Sequence, residues 1–262
     1  MSHLLPDGAV HLAAVDAHRL AQWLGGGPRT VIVPAGALEQ HGPHLPLGTD
    51  GLLSGRIAAA VAERVGALVA PTFTFGYKSQ QKSGGGDHLT GTTSLDAQTL
   101  IALTRDVVGS LLRQGVRHVV VLNGHYENYQ FLYEGIDLAL RDGGVTADDD
   151  RCVLLLSYWD YVSAESLEAV YGDDFPGWDV EHGGVLETSL MLHLEPGSVW
   201  LDRAQEHPPA RLPRFDRLPV VADRTPPSGC LSAPTGSSAE HGRLLFEQVV
   251  RDLAADLVAE LG

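Results

Sequence analysis

Four apolar runs stand out along the chain: Thr30–Ala37, Ala67–Phe75, His118–Leu122 and Cys152–Leu156. They are nearly continuous rather than alternating, the pattern of strands covered on both faces in a parallel sheet. Between them the apolar positions switch to helical spacing. Leu52, Leu53, Ile57 and Val61 form one face; Leu100, Leu103, Val107, Leu111 and Leu112 a second; Phe131, Leu132, Ile136 and Leu140 a third. Near the end, Ser237-x-x-Glu240 has the spacing of a reciprocal helix cap. Leu244, Leu245, Val249, Leu253, Leu257 and Leu261 then predict a final helix. Strand alternating with helix predicts an α/β chain, a three-layer α/β/α sandwich with a mostly parallel central sheet. No repeat or linker interrupts it, and 262 residues fit within one core, so residues 1–262 read as a single domain.

The polar residues gather where the strands end. Glu39, His41, His44 and Asp50 follow the first apolar run in a loop stiffened by Pro43 and Pro46, and His125-Tyr126-Glu127 follows the third. Carboxylates and imidazoles are the donor mixture of Zn²⁺ and Mn²⁺. Open sheets of this type bind ligands beyond the carboxyl ends of their strands, so the two clusters predict one metal site between them. Asp50 alone has an ordinary alternative as the cap of a helix starting near Gly51.

Composition narrows the classes of partner. A formal charge of -15 argues against nucleic acid and anionic membranes, which attract basic surfaces. No run is long and apolar enough to span a bilayer. Met1–Gly8 lacks the basic and apolar regions of a secretion signal, so the expected location is cytoplasmic. Cys152, inside an apolar run, reads as a core thiol. Arg141–Arg151 reads as a solvated connection without calcium-loop spacing, and proline-rich Pro208–Pro227 as a surface excursion or an oligomer contact.

Three segments together resemble a known family. Glu39–Asp50, Asn123-Gly124-His125 and Glu181-His182-Gly183-Gly184-Val185-Leu186-Glu187-Thr188-Ser189 are similar, in order, to the three motifs of the creatininase family, metal-dependent amidohydrolases of small amides. Tyr126-Glu127-Asn128, Ser157-Tyr158-Trp159-Asp160 and Gly177-Trp178-Asp179-Val180 extend the likeness toward its creatinine-hydrolysing members. The resemblance implies two divalent ions per subunit (Zn²⁺, Mn²⁺ or both), a homohexamer built as a trimer of dimers, and reversible hydrolysis of creatinine to creatine.

It also implies roles. Glu39, His41, Asp50, His125 and Glu127 are the expected ligands: Asp50 bridges, Glu39 and His125 complete one site, and His41 and Glu127 the other. Glu187 is the competing ligand, and His44 is expected to support the loop or hydrogen-bond to a ligand. His182 is the expected proton shuttle, since imidazole exchanges protons near neutral pH, with Glu181 orienting it. Trp159 and Trp178 are expected as aromatic walls for a flat, cationic guanidine-like group, with Ser83, Tyr126 and Asp179 as further substrate contacts. Two other readings stay open: a family hydrolase acting on a different small cyclic or N-substituted amide, and a metal-binding structural protein.

Overall fold

The computed structural model describes residues 10–262; the leader reading at Met1–Gly8 falls outside them. Among the described residues four strands form one sheet: β1 (Thr30–Ala35), β2 (Leu68–Val69), β3 (His118–Asn123) and β4 (Cys152–Ser157). Their order is β2-β1-β3-β4 and every pairing is parallel. Parallel neighbours need crossovers, and α2 (Thr49–Val65), α3 (Ala97–Arg113) and α4 (Tyr129–Asp142) lie on those connections.

Successive strand residues face opposite layers. Val31, Val33, Ala35, Val119 and Val121 pack with Leu100, Val108, Leu132 and Ile136, placing α3 and α4 on one face together with Trp23 of α1 (Ala17–Leu24). Ile32, Val120 and Leu122 pack with Leu53, Ile57, Leu190, Leu245 and Leu253, placing α2, α6 (Val185–Leu194) and α7 (Ala239–Leu261) on the other. A shorter α5 (Ala164–Tyr171) precedes the loop into α6. The result is the expected three-layer α/β/α sandwich.

Four details depart from the sequence reading. The predicted strand Ala67–Phe75 pairs regularly only at Leu68–Val69; beyond Pro71, which has no amide hydrogen for a ladder, a single bridge at Phe73 remains. Strand β4 is an edge strand, so Cys152 is only half-buried, not a core thiol. The cap of α7 is Ser238, whose hydroxyl accepts from the His241 amide; Ser237 instead donates to the Pro234 carbonyl. The Pro208–Pro227 excursion is not only surface, because Ala210–Asp216 forms part of a cavity wall described below.

Helix α6 decides where the third motif goes. Its residues Val185–Met191 are all buried, the signature of a helix packed on every side. Gly242 makes the close contact with α7: a Cβ there would lie 1.9 Å from the Ser189 carbonyl oxygen. Gly242→Ala is therefore expected to lower stability by about 1–3 kcal/mol. A urea titration of metal-free protein checks this as a lowered midpoint at unchanged slope; an unchanged midpoint contradicts the close packing of α6 on α7.

Candidate metal centre

The carboxyl ends of β1 and β3 deliver the ligand-bearing segments. The loop leaving β1 carries Glu39, His41 and His44, and Asp50 sits in the first turn of α2 rather than capping it. His125 and Glu127 follow β3 directly, Glu127 in a single 3-10 turn at Tyr126–Asn128. His182 precedes α6 and Glu187 lies in its first turn. All of these side chains are buried.

Three imidazoles are aimed by backbone carbonyls. His41 Nδ1 lies 3.2 Å from the Glu39 carbonyl, His125 Nε2 3.0 Å from that of Tyr77, and His182 Nε2 2.8 Å from that of Gln40. A carbonyl only accepts, so each of these nitrogens carries the hydrogen and the opposite nitrogen of each ring faces inward. The inward atoms meet carboxylates. His41 Nε2 is 2.9 Å from Asp50 Oδ1 and 3.7 Å from Glu187 Oε1. His125 Nδ1 is 3.0 Å from Glu39 Oε1 and 3.1 Å from Asp50 Oδ2. His182 Nδ1 is 3.9 Å from Glu39 Oε1, its ring 4.3 Å from that of His41.

Two triads of donor atoms thus converge, Glu39–Asp50–His125 and His41–Asp50–Glu187, with Asp50 common to both. A third grouping joins Glu39, His41 and His182. Divalent cations fit the donor set by a separate criterion. Glu39 Oε2, His41 Nε2 and Asp50 Oδ2 are buried without a hydrogen-bond partner. Buried polar atoms in that state cost free energy that a bound cation relieves. The same need appears in protonation. Burial opposes a charge on His41 and His125, yet Asp50 and Glu187 around the first, and Glu39 and Glu127 around the second, hold both rings well above the usual histidine range. Burial likewise opposes the Asp50 carboxylate, which His41 and His125 hold below its ordinary value.

The structure places the two competing glutamates differently from the sequence expectation. Glu187, not Glu127, stands beside His41 and Asp50. Glu127 sits at the outer side of the His125 ring, its Oε2 3.4 Å from Nε2 and its Oε1 accepting from the Gln80 amide at 2.8 Å and the Ser83 hydroxyl at 2.5 Å. Ser83 therefore reaches the centre through Glu127. Burial raises the pKa of Glu127. His44 joins neither triad: its Nε2 is 2.9 Å from the Thr188 hydroxyl, and burial, with His41 beside it, pushes its pKa down to about 4. Glu181 lines the cavity together with His182, and its carboxylate accepts from the Leu186 amide in the first turn of α6.

Above the centre opens a cavity of about 980 Å³ lined by Tyr126, Trp159, Trp178 and Asp179 together with Glu39, Asp50, His125, Glu127, His182 and Glu187. Trp159 packs edge-on against buried Tyr158, and its ring centroid is 6.5 Å from that of Tyr126. Trp178, 43% exposed, leans on Phe175 at the rim. The sequence reading missed three contributors. The carbonyls of Tyr77 and Gln40 orient histidines but carry no side-chain signal, and the Ala210–Asp216 wall comes from the excursion read as surface.

Known proteins resemble this chain in sequence and in fold. The creatininase family model, described as creatinine amidohydrolase, matches residues 19–257. The creatinine amidohydrolase of Pseudomonas putida is 50% identical over 229 residues, 87% of this chain and 88% of its own. The solved structure described as Creatininase Mn superposes with a TM-score of 0.94 at 46% identity, covering 97% of this chain and 99% of that one. A mutant creatininase complexed with creatine superposes with a TM-score of 0.93 at 45% identity and the same coverage. The chain belongs to the creatininase family.

Proposed function

We propose that this chain is a dimetal cyclic amidase that reversibly converts creatinine and water to creatine. The observation that carries the reading is the shared carboxylate of Asp50, held between two His/Glu sets at the floor of an aromatic-walled cavity. Likeness to creatinine amidohydrolase over most of both chains supports the substrate, and a relative bound to creatine supports the product.

Glu39, Asp50 and His125 would hold one cation and His41, Asp50 and Glu187 the other; their oxygen and nitrogen donors suit Zn²⁺ and Mn²⁺ alike. When bound, such a pair of cations lowers the pKa of a water and polarises an amide carbonyl. His182 handles the proton. Its Nε2 hydrogen is engaged by the Gln40 carbonyl, which leaves the Nδ1 lone pair open to the cavity. Nδ1 takes the proton released as water adds to the ring carbonyl and returns it to the ring nitrogen as the carbon–nitrogen bond breaks. The carboxylic acid so formed gives up its proton to the basic guanidine, so the products are the carboxylate and guanidinium of creatine, and the same proton path runs backward for ring closure.

Trp159 and Trp178 flank the flat guanidine-like group, and Tyr126 and Asp179 complete the wall, the acid matching its positive charge. Ser83 holds Glu127, whose carboxylate borders the His125 side of the pocket. The family likeness also supports a cytoplasmic homohexamer, a trimer of dimers in which each chain is one creatininase-like domain with no nucleic-acid or membrane partner. No helix among the described residues is long and apolar enough to cross a membrane.

Purified protein loaded with Mn²⁺ or Zn²⁺ is expected to convert creatinine to creatine, and creatine back to creatinine, in a coupled colorimetric assay. No turnover at full metal loading, with hydrolysis of another small amide, would reassign the substrate. Metal binding with no amide hydrolysis at all would leave a structural metalloprotein.

Two variants separate chemistry from binding at measured metal occupancy. His182→Asn is expected to lower kcat by roughly 10²–10⁴-fold, the usual contribution of a positioned acid–base group. Trp159→Ala is expected to raise KM about tenfold, a loss of ~1.4 kcal/mol, with both ions retained. If His182→Asn loses a metal ion while turnover per loaded centre stays normal, His182 is a ligand and not the shuttle.

A further inference from the structure

Helix α6 presents Glu187, and the loop entering it presents His182, yet its N-cap position offers no side chain because Gly184 occupies it. The first-turn amides of a helix have no partner within the helix. Glu181 supplies what Gly184 lacks, assisted by the Tyr171 hydroxyl, which lies 3.0 Å from the Leu186 amide. Its Oε1 accepts from the Leu186 amide at 2.7 Å and from the Glu187 amide at 3.4 Å, while its Oε2 accepts from the Ser232 hydroxyl at 3.3 Å. A Cβ on residue 184 would lie 2.2 Å from Glu181 Oε2 and 2.4 Å from Ser232 Oγ, so only glycine leaves room for this carboxylate. A reciprocal bond closes the turn: Glu187 Oε2 accepts from the Gly183 amide at 2.7 Å, which leaves Oε1 directed at His41.

Ser232 belongs to a segment that stitches two motifs together. The Leu231 amide donates to the His182 carbonyl at 3.0 Å, and the Ser228 carbonyl accepts from the Gln40 side-chain amide. Gln40 in turn provides the carbonyl that orients the His182 ring. Glu181 lines the cavity beside His182, and both of its oxygens are engaged by these structural donors.

We propose that Glu181 and Ser232 form a positioning pair that anchors the first turn of α6, so that Glu187 Oε1 and His182 Nδ1 face the metal centre. The proposal rests on the dimetal reading above, but not on the identity of the amide. It assigns a role in the site to the C-terminal part of the chain, where no motif lies. Removing the cap loosens Glu187, and with it the cation held by His41, Asp50 and Glu187; the cation held by Glu39, Asp50 and His125 is less affected.

The test compares Glu181→Ala, Glu181→Gln and Ser232→Ala in the full-length protein. Affinities for both ions are read by Mn²⁺ and Zn²⁺ competition with a chromophoric chelator, alongside kcat, KM and the melting temperature of metal-free protein. Glu181→Ala is expected to weaken one ion about 10–100-fold, the usual effect of losing a group that orients a ligand, and to lower kcat with little change in KM. Glu181→Gln is expected to recover most of that loss, because its carbonyl still accepts the Leu186 amide and its NH₂ still meets Ser232. Ser232→Ala is expected to show a smaller loss of the same ion. The proposal is overturned if Glu181→Gln is as inactive as Glu181→Ala while both bind two ions normally, since the carboxylate itself would then move protons. Should Glu181→Ala fail to fold, Ser232→Ala decides: wild-type affinity for both ions and wild-type kcat overturn the proposal. A wild-type chain inactive on creatinine, with the same graded metal losses, would remove the substrate assignment and leave the positioning pair standing.

Discussion

The rest of the site is arranged around the buried carboxylate of Asp50. It sits between two inward-facing imidazole nitrogens, 2.9 Å from one and 3.1 Å from the other, with Glu39, Glu127 and Glu187 also buried nearby. Removing an ionised carboxylate from water costs several kcal/mol even after relaxation, and several in one pocket repel each other. Such a cluster persists only with positive charge among its members. The surrounding carboxylates favour charge on His41 and His125, and divalent ions would supply it directly, since Asp50 is common to both triads. The parallel sheet serves this arrangement by ending β1 and β3 side by side, with Ala35 in register with Asn123.

Carbonyl groups complete the electrostatic design. Each of the three histidines spends one N–H on a backbone oxygen, His41 within its own loop and His125 and His182 on a neighbouring segment, which fixes which nitrogen faces inward. For His41 and His125 that atom meets the carboxylates of the triads, and for His182, at 3.9 Å from Glu39, it stays available to a reacting molecule. One device thus provides two kinds of function, separated by about an ångström of reach.

Much of this was legible in the sequence, and the misses share a cause. Apolar continuity marked β1, β3 and β4, and helical spacing marked the faces of α2, α3, α4 and α7. The predicted second strand overran because hydrophobicity alone does not register the missing amide of Pro71. Glu39, His41, Asp50 and His125 were readable because they cluster where strands end. The placement of Glu127 and Glu187 relative to His41 was not, because it depends on the direction of a side chain. A residue adjacent to a ligand in sequence, Glu127, points around the outside of the His125 ring, while one sixty positions on, Glu187, is brought in by a helix buried on all sides. Glu181 was legible only in part: it neighbours His182 in sequence and lines the same cavity, but its contact with the start of α6 carries no sequence signal.

The central claim is that Asp50 is shared by two cations with Glu187 completing the second site. Anomalous diffraction from Mn²⁺-loaded crystals tests it most directly. The account predicts two peaks per chain on either side of the Asp50 carboxylate, one in contact with Glu39 and His125 and the other with His41 and Glu187. A single peak, or a second peak held by Glu127 with Glu187 out of contact, would contradict it.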